Sequence, residues 1–217
     1  MPFRFLFLVL AVLWWGALPL SGQGSFPSGS FAVDPEKSRV AVLLFRAGPF
    51  KGFASDHLLL ARGFSGRIGL NAADLPATSV EIAFPVSLLE VDPPEARARE
   101  ELKGVVSAAD RKSVRETMLG PEQLDADRFP EITVTAEGVL GVLPNPTLRL
   151  SLRIKDVRRT LLVPVTVSFS GETLRAEGEL RLKQTDFGIE PFSFLLGAVS
   201  VEDEVRVRFI IVARRER

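Results

Sequence analysis

Between positions 148 and 155 the chain reads Leu-Arg-Leu-Ser-Leu-Arg-Ile-Lys, and this alternation of apolar and polar residues constrains the fold more than any other feature. Successive side chains of an extended strand point to opposite faces, so Leu148, Leu150, Leu152 and Ile154 share one face while Arg149, Ser151, Arg153 and Lys155 share the other. The same period recurs in Val40-Val42-Leu44, Val80-Ile82-Phe84, Ile132-Val134, Leu161-Val163-Val165, Leu180-Leu182 and Val205-Val207-Phe209-Ile211. One-sided strands of this kind belong to an antiparallel sheet with one wet face. About seven or eight of them must hide their apolar faces, either by pairing two sheets or by closing one sheet on itself. Closure also removes the sheet edges, and at eight strands a barrel interior is either just filled or holds one small or elongated ligand. Periodicity alone leaves sandwich and barrel both open.

The middle of the chain breaks the pattern. Pro93-Pro94 opens a stretch of Ala, Glu, Arg, Leu and Lys that predicts a helix over Glu95 to Val106. Ser107 then reads as an N-cap with Asp110 in the third position of a capping box, for a second helix ending at Leu119 before Gly120-Pro121. This helical insertion, at about residues 95–119, is expected to dock on the sheet through Leu102, Val105, Val106, Val114 and Met118.

The first residues form a separate object. Arg4, the apolar run Phe5 to Leu18 and the small-x-small triplet Gly22-Gln23-Gly24 predict a secretory signal over residues 1–24. Pro19 interrupts the run, which is short for a bilayer span of about 20 residues, so an uncleaved N-terminal anchor is the weaker alternative. The expected organisation continues with a spacer at 25–30, one β domain at 31–213 and a charged, frayed tail at 214–217. The expected location is periplasmic or secreted. With no Cys there is neither a disulfide framework nor an acceptor for a lipid at the cleavage site. Lys and Arg together number 27 against 27 Asp and Glu, and this balance argues against a nucleic-acid partner.

Motifs of reaction chemistry are scarce. Asp186-Phe187-Gly188 matches the magnesium-binding tripeptide of protein kinases, but the chain has no glycine-rich phosphate loop and no His-Arg-Asp. One His, no Cys and no Gly-x-Ser-x-Gly leave nucleophilic catalysis without its parts. Asp125, Asp127 and Glu131 sit in a polar turn before a strand. Phe is plentiful at 16 residues and Tyr is absent, which suits a dry interior, packed or hollow.

Six segments in order resemble the bacterial YceI-like family of exported lipid- or polyisoprenoid-binding proteins: FAVDPEKSRVAVLLF from 31, ARGFSGRI from 61, SVEIAFPVSLLEVD from 79, MLGPEQLDADRFPEITV from 118, LRIKDVRRTLLVPV from 152, and KQTDFGIEP with VEDEVRVRFIIVA at the end. The resemblance implies an all-β fold, an extended eight-stranded antiparallel lipocalin-like barrel carrying the helical insertion. Its apolar interior would hold an isoprenoid lipid, a quinone or a similar long amphiphile, for transport, storage or sequestration. The lining would be Val40, Val42, Leu44, Val80, Ile82, Phe84, Ile132, Val134, Leu150, Leu152, Leu161, Val163, Leu180, Phe187, Val207 and Phe209, residues that would equally fill a solid core.

The resemblance also gives Asp186 to Ile189 a structural role where a strand ends: Gly188 in a left-handed conformation, Asp186 bonding backbone, and Phe187 and Ile189 plugging apolar space. Relatives often carry Gly-His-Asp/Asn-His where this chain has Ala54-Ser55-Asp56-His57, and His-Gly-Val-Thr where it has Lys155-Asp156-Val157-Arg158. The lost imidazoles leave no paired-His metal site. Asp56 and His57 remain as candidates for contact with a ligand head group. No cofactor, metal or catalytic residue is expected. Partners implied are the lipid itself, transient contact with a membrane surface, and a second copy in a homodimer. A packed, non-catalytic stress-response or structural scaffold is the competing reading, and a lipid-modifying enzyme the weaker third.

Overall fold

The computed structural model describes residues 26–216, so the leader expected over 1–24 lies outside them. Fourteen strands follow in chain order: β1 (Gly29–Val33), β2 (Arg39–Leu44), β3 (Arg46–Ala47), β4 (His57–Leu60), β5 (Ser65–Leu70), β6 (Ser79–Pro85), β7 (Glu90–Val91), β8 (Glu131–Leu140), β9 (Thr147–Ile154), β10 (Val157–Ser170), β11 (Thr173–Lys183), β12 (Ser193–Phe194), β13 (Val199–Val201) and β14 (Glu204–Arg215). Helices α1 (Pro94–Arg99) and α2 (Ala108–Leu119) lie between β7 and β8.

The register shows why the many strands form one barrel. Along one edge β14 pairs β11, from Lys183↔Glu204 to Thr173↔Arg214. Along its other edge β14 pairs first β2 (Arg206↔Leu43 to Ile210↔Arg39) and then β1 (Val33↔Ala213 to Phe31↔Arg215). Strands β1 and β2 are thus two halves of one stave, parted by the turn at 34–38. There the Ser38 hydroxyl donates to the Val212 carbonyl and accepts from the Val212 amide at 2.8 Å, standing in for the missing strand partner. In the same way β4 and β5 form a second stave, paired to β2 and β1, and β6 and β7 a third, paired to β5 and β4. With β8, β9, β10, β11 and β14 this makes eight antiparallel staves in sequence order, closed by β14 on the first. A sandwich is excluded by that closing pairing.

Two expected boundaries move. Gly29 and Ser30, placed in a spacer, already belong to β1. The run from Arg214, expected to fray, instead completes β14: the Glu216 amide donates to the Ser30 carbonyl, the Glu216 carboxylate takes the Ser30 hydroxyl and the Arg67 guanidinium, and Arg215 lies over the Phe31 ring. Barrel closure supplies these partners, and local sequence does not show them.

The helical insertion is shorter at its first helix than expected. α1 stops at Arg99 rather than running to Val106. Its end is a Schellman turn: Glu101 takes a positive φ of 57°, its amide bonds the Ala98 carbonyl, and the Leu102 amide bonds the Arg97 carbonyl. The chain can then fold back so that the Lys103 carbonyl accepts from the Arg97 guanidinium at 2.9 Å. α2 begins as expected, with the Asp110 amide donating to the Ser107 hydroxyl at 3.1 Å. Ala96 and Leu102 cover Ala41, Leu58 and Leu60, which face outward from β2 and β4. Glu100 sits between Arg39 and Arg208, pinning the helix to the wall. Val114 and Met118 pack on the core and Val106 is buried, but Val105, expected among the docking residues, is exposed. α2 packs beside β7, with Arg115 donating to the Leu89 and Ser87 carbonyls, and so covers the side of the wall where the third stave has left β8.

The Thr185–Phe187 turn has the structural role expected of it. Gly188 is left-handed (φ 67°, ψ 26°), and Phe187 and Ile189 are buried with Leu152, Leu182 and Val205. The bonding carboxylate, however, is Asp203 and not Asp186: Asp203 accepts from the Thr185 amide at 2.9 Å and its hydroxyl at 2.8 Å, while Asp186 is exposed. Asp203 comes into place through the β11–β14 pairing, which no local motif announces.

Candidate functional site: an apolar cavity with one polar corner

The barrel is hollow. A cavity of about 470 Å³ runs along its inside, within the usual size range of small-molecule sites, roughly 300–1,000 Å³. Every residue expected on the inner face of β2, β6, β8, β9, β10, β11 and β14, and Phe187 after them, lines this space. Several of them, including Leu148, Leu150, Leu161, Leu180, Val207 and Phe209, are only partly buried although they point inward. A solid core would bury them fully. The strands' alternation therefore separates two environments as expected, but the inner one is partly empty.

The two ends differ. At the end where β8 turns into β9, lining residues Leu75, Thr78, Val139, Pro146 and Leu174 are buried, and Phe169 packs between Phe26 and Phe31. At the opposite end the lining includes Arg46, Ala54, Ser55, His57 and the exposed Phe192, so the cavity reaches the surface there. That mouth is bordered by a small sheet in which β13 pairs both β12 and β3. Ser113, Val114, Thr117 and Met118 of α2 also line the cavity, a contribution that the amphipathic pattern of the insertion could have suggested.

His57 lines the mouth and is held there by a buried carboxylate. Its Nδ1–H donates to Asp92 Oδ2 at 2.6 Å, and Nε2 has no hydrogen-bond partner among the described residues. Asp92 is fully buried, and its Oδ1 accepts from the Leu58 amide at 2.8 Å and the Arg97 guanidinium at 2.7 Å. Burial opposes ionisation of Asp92, but the bonds from His57, Arg97 and Leu58 together outweigh it and hold the carboxyl below the usual aspartate value. Arg97, itself buried, also donates to the Asp56 carbonyl at 2.6 Å, tying α1 to the start of β4.

Asp92 and Arg97 were not legible as site residues. Asp92 precedes Pro93-Pro94 and reads as part of a helix start, and Arg97 reads as a solvated helical charge. Asp56, expected beside His57 as a head-group contact, is not in the lining: its carboxylate accepts the Arg46 amide at 3.0 Å and faces the Arg46 guanidinium at 3.7 Å, fixing the strand at the mouth. Ser55 and His57 line the cavity, whereas Asp56 between them is turned to Arg46. Among the described residues, no three His, Asp or Glu side chains converge as a metal site would require.

Comparison with known proteins accords with this architecture. The family model described as the YceI-like domain matches residues 31–213. Among solved structures, BcnA of Burkholderia cenocepacia superposes with a TM-score of 0.62 at 21% identity, over 83% of this chain and 98% of that one. A polyisoprenoid binding domain from Saccharophagus degradans, implicated in plant cell wall breakdown, gives 0.59 at 11% identity, over 88% and 100%. The YceI protein of Campylobacter jejuni gives 0.54 at 10% identity, over 72% and 84%. No curated protein matches the chain. At these identities the structural likeness speaks for the fold, and the family model extends from the first stave to the last. The chain belongs to the YceI-like family.

Proposed function

We propose that this protein is a non-catalytic carrier that encloses an isoprenoid lipid, or another long amphiphile such as a quinone or fatty chain, in its barrel. The observation that carries the reading is the cavity of about 470 Å³ with its apolar wall. At about 30 Å³ per water-sized group it has room for on the order of fifteen such groups. Each methylene removed from water is worth about 0.8 kcal/mol, so a filled cavity would contribute on the order of 12 kcal/mol against an association cost of about 4–15 kcal/mol. The polyisoprenoid binding domain that shares the fold supports the same chemical class. His57, oriented by Asp92, would accept a hydrogen bond from a hydroxyl head group at the mouth through Nε2. Export through the N-terminal leader is part of the proposal, since an aqueous compartment is where such cargo needs a shield.

The competing scaffold reading requires a packed interior, and the hollow barrel disfavours it. The test is native mass spectrometry with organic extraction of protein purified from a membrane-containing host. A solvent-extractable species of constant mass, lost in Leu150→Glu or Phe209→Glu proteins that keep their β circular dichroism, is the expected result. A bare polypeptide that takes up neither quinones nor fatty acids would overturn the carrier reading, and turnover of a lipid by the pure protein would overturn the non-catalytic one.

A further inference from the structure

The loops at the mouth break two rules of soluble surfaces together. Phe53 is 89% and Leu196 fully exposed, and Phe50, Phe192, Phe194 and Leu195 are also exposed. The six come from two short segments that lie side by side: the Phe50 amide donates to the Ala198 carbonyl at 2.9 Å, Ala47 pairs Ser200, and the Phe50 and Phe53 rings stand 6.4 Å apart. At roughly 150 Å² per large side chain they present on the order of 600 Å² of apolar surface, at the upper end for the largest patch of a soluble monomer.

The second broken rule is conformational. Leu195 and Leu196 both adopt positive φ, 50° and 56°, in the turn between β12 and β13. Bulky side chains rarely occupy that region, which turns normally fill with Gly, Asn or Asp. Two leucines there are strained and also solvated, so neither backbone preference nor burial in the barrel accounts for them. Strain kept against local preference is a recurrent mark of functional segments.

We infer that this tip is a membrane-docking surface, through which the barrel meets a phospholipid bilayer mouth first. Its charge suits that occupant. Residues 45–55 and 191–201 carry Arg46 and Lys51 and no carboxylate. The flanking acids, Asp56, Glu190 and Glu202, stand at the bases of the segments, with Asp56 tied to Arg46. Exposed Phe and Leu beside a lysine match a bilayer interface, where rings and aliphatic chains enter the acyl boundary and the ammonium meets phosphate. The tip is also continuous with the cavity: Phe192 and Val199 belong to the docking segments and to the cavity lining. Seated on a bilayer, the mouth would open onto acyl chains and spare the cargo a passage through water. In that use the inference rests on the carrier reading, whereas docking itself does not require cargo.

The chain has no native Cys, so a single one can report position. Phe53→Cys and, at the opposite end, Val142→Cys are each labelled with an environment-sensitive fluorophore in protein expressed from the full sequence. Vesicles of equal parts phosphatidylcholine and phosphatidylglycerol are added, with and without a lipid-borne quencher. The expected result is a blue shift and quenching at position 53 and neither at 142. The paired substitution Phe53→Ser with Leu196→Ser, on side chains that support no core packing, should weaken vesicle binding by roughly tenfold or more, while uptake of lipid presented in detergent is unchanged. A position-53 label indifferent to vesicles in protein that still takes up lipid would overturn the docking surface and leave the carrier intact. Vesicle docking without lipid uptake would uphold the tip and remove the carrier. A dimer that the paired substitution dissociates, with no vesicle binding, would assign the patch to a second copy and overturn the inference.

Discussion

Replacing Asp92 should be among the most costly single changes in this protein. The carboxylate is fully buried and takes three donors: the Leu58 amide at 2.8 Å, Arg97 at 2.7 Å and His57 at 2.6 Å. Removing one member of a buried ion pair costs about 3–5 kcal/mol, because the partner charge stays buried and unpaired. Asp92→Ala is therefore expected to lose about 4 kcal/mol, a large share of the roughly 5–15 kcal/mol that holds a typical domain together. Asp92→Asn should lose about half of that, since one oxygen still serves Leu58 and Arg97 while the charge is gone. Its amide nitrogen would meet His57 Nδ1 and force the proton to Nε2, reversing the polarity offered to a head group.

The pH dependence follows from the same contacts. The folded state holds Asp92 below its ordinary value, so its contribution is complete at neutral pH and fades as pH falls through the folded pKa. The gap between the parent and Asp92→Asn should accordingly narrow in acid. Urea unfolding followed by far-UV circular dichroism measures it, because the sole tryptophans, Trp14 and Trp15, lie outside the described residues and Tyr is absent. A loss under about 1 kcal/mol for Asp92→Ala, or a gap that stays constant into acid, would show that the network does not hold the mouth.

Other changes probe separate parts of the structure. Gly188→Ala should cost about 1–2 kcal/mol from backbone strain alone, because an added Cβ meets nothing within 4 Å, and Gly188→Asn should cost less; thermal unfolding of the pair checks this. Phe187→Ala removes a ring that is 1% exposed and should lower stability by about 3 kcal/mol, read as a shifted urea midpoint with unchanged slope. Leu150→Glu, on a partly open stretch of wall, should keep the fold and abolish extractable lipid, as mass spectrometry of the purified variant would show.

The one-sided strands were legible because their signal is local, whereas their closure into a barrel rests on the β1–β14 pairing. A strand's alternation depends only on which face meets water, so residues 148–155 and their counterparts revealed their inner and outer faces before any pairing was known. The cap of α2 was equally local, since Ser107 and Asp110 lie within one turn. Contacts between distant parts were not legible. The carboxylate behind His57 lies 35 residues away, the acid that closes the Thr185 turn lies 18 away, and the partner of Ser30 lies 186 away. Helix propensity continues past Arg99, so it does not mark the end of α1, where the chain turns back to satisfy Arg97.

Sequence by itself determined that this chain makes one-sided antiparallel strands with an apolar face too large to leave in water, because the cost of exposing that face is a sum over residues. Only the tertiary structure decided that the face encloses a cavity. Whether inward leucines and valines meet at the centre depends on the barrel's radius, which is set by strand number and stagger, and these exist only once β14 has paired with β1.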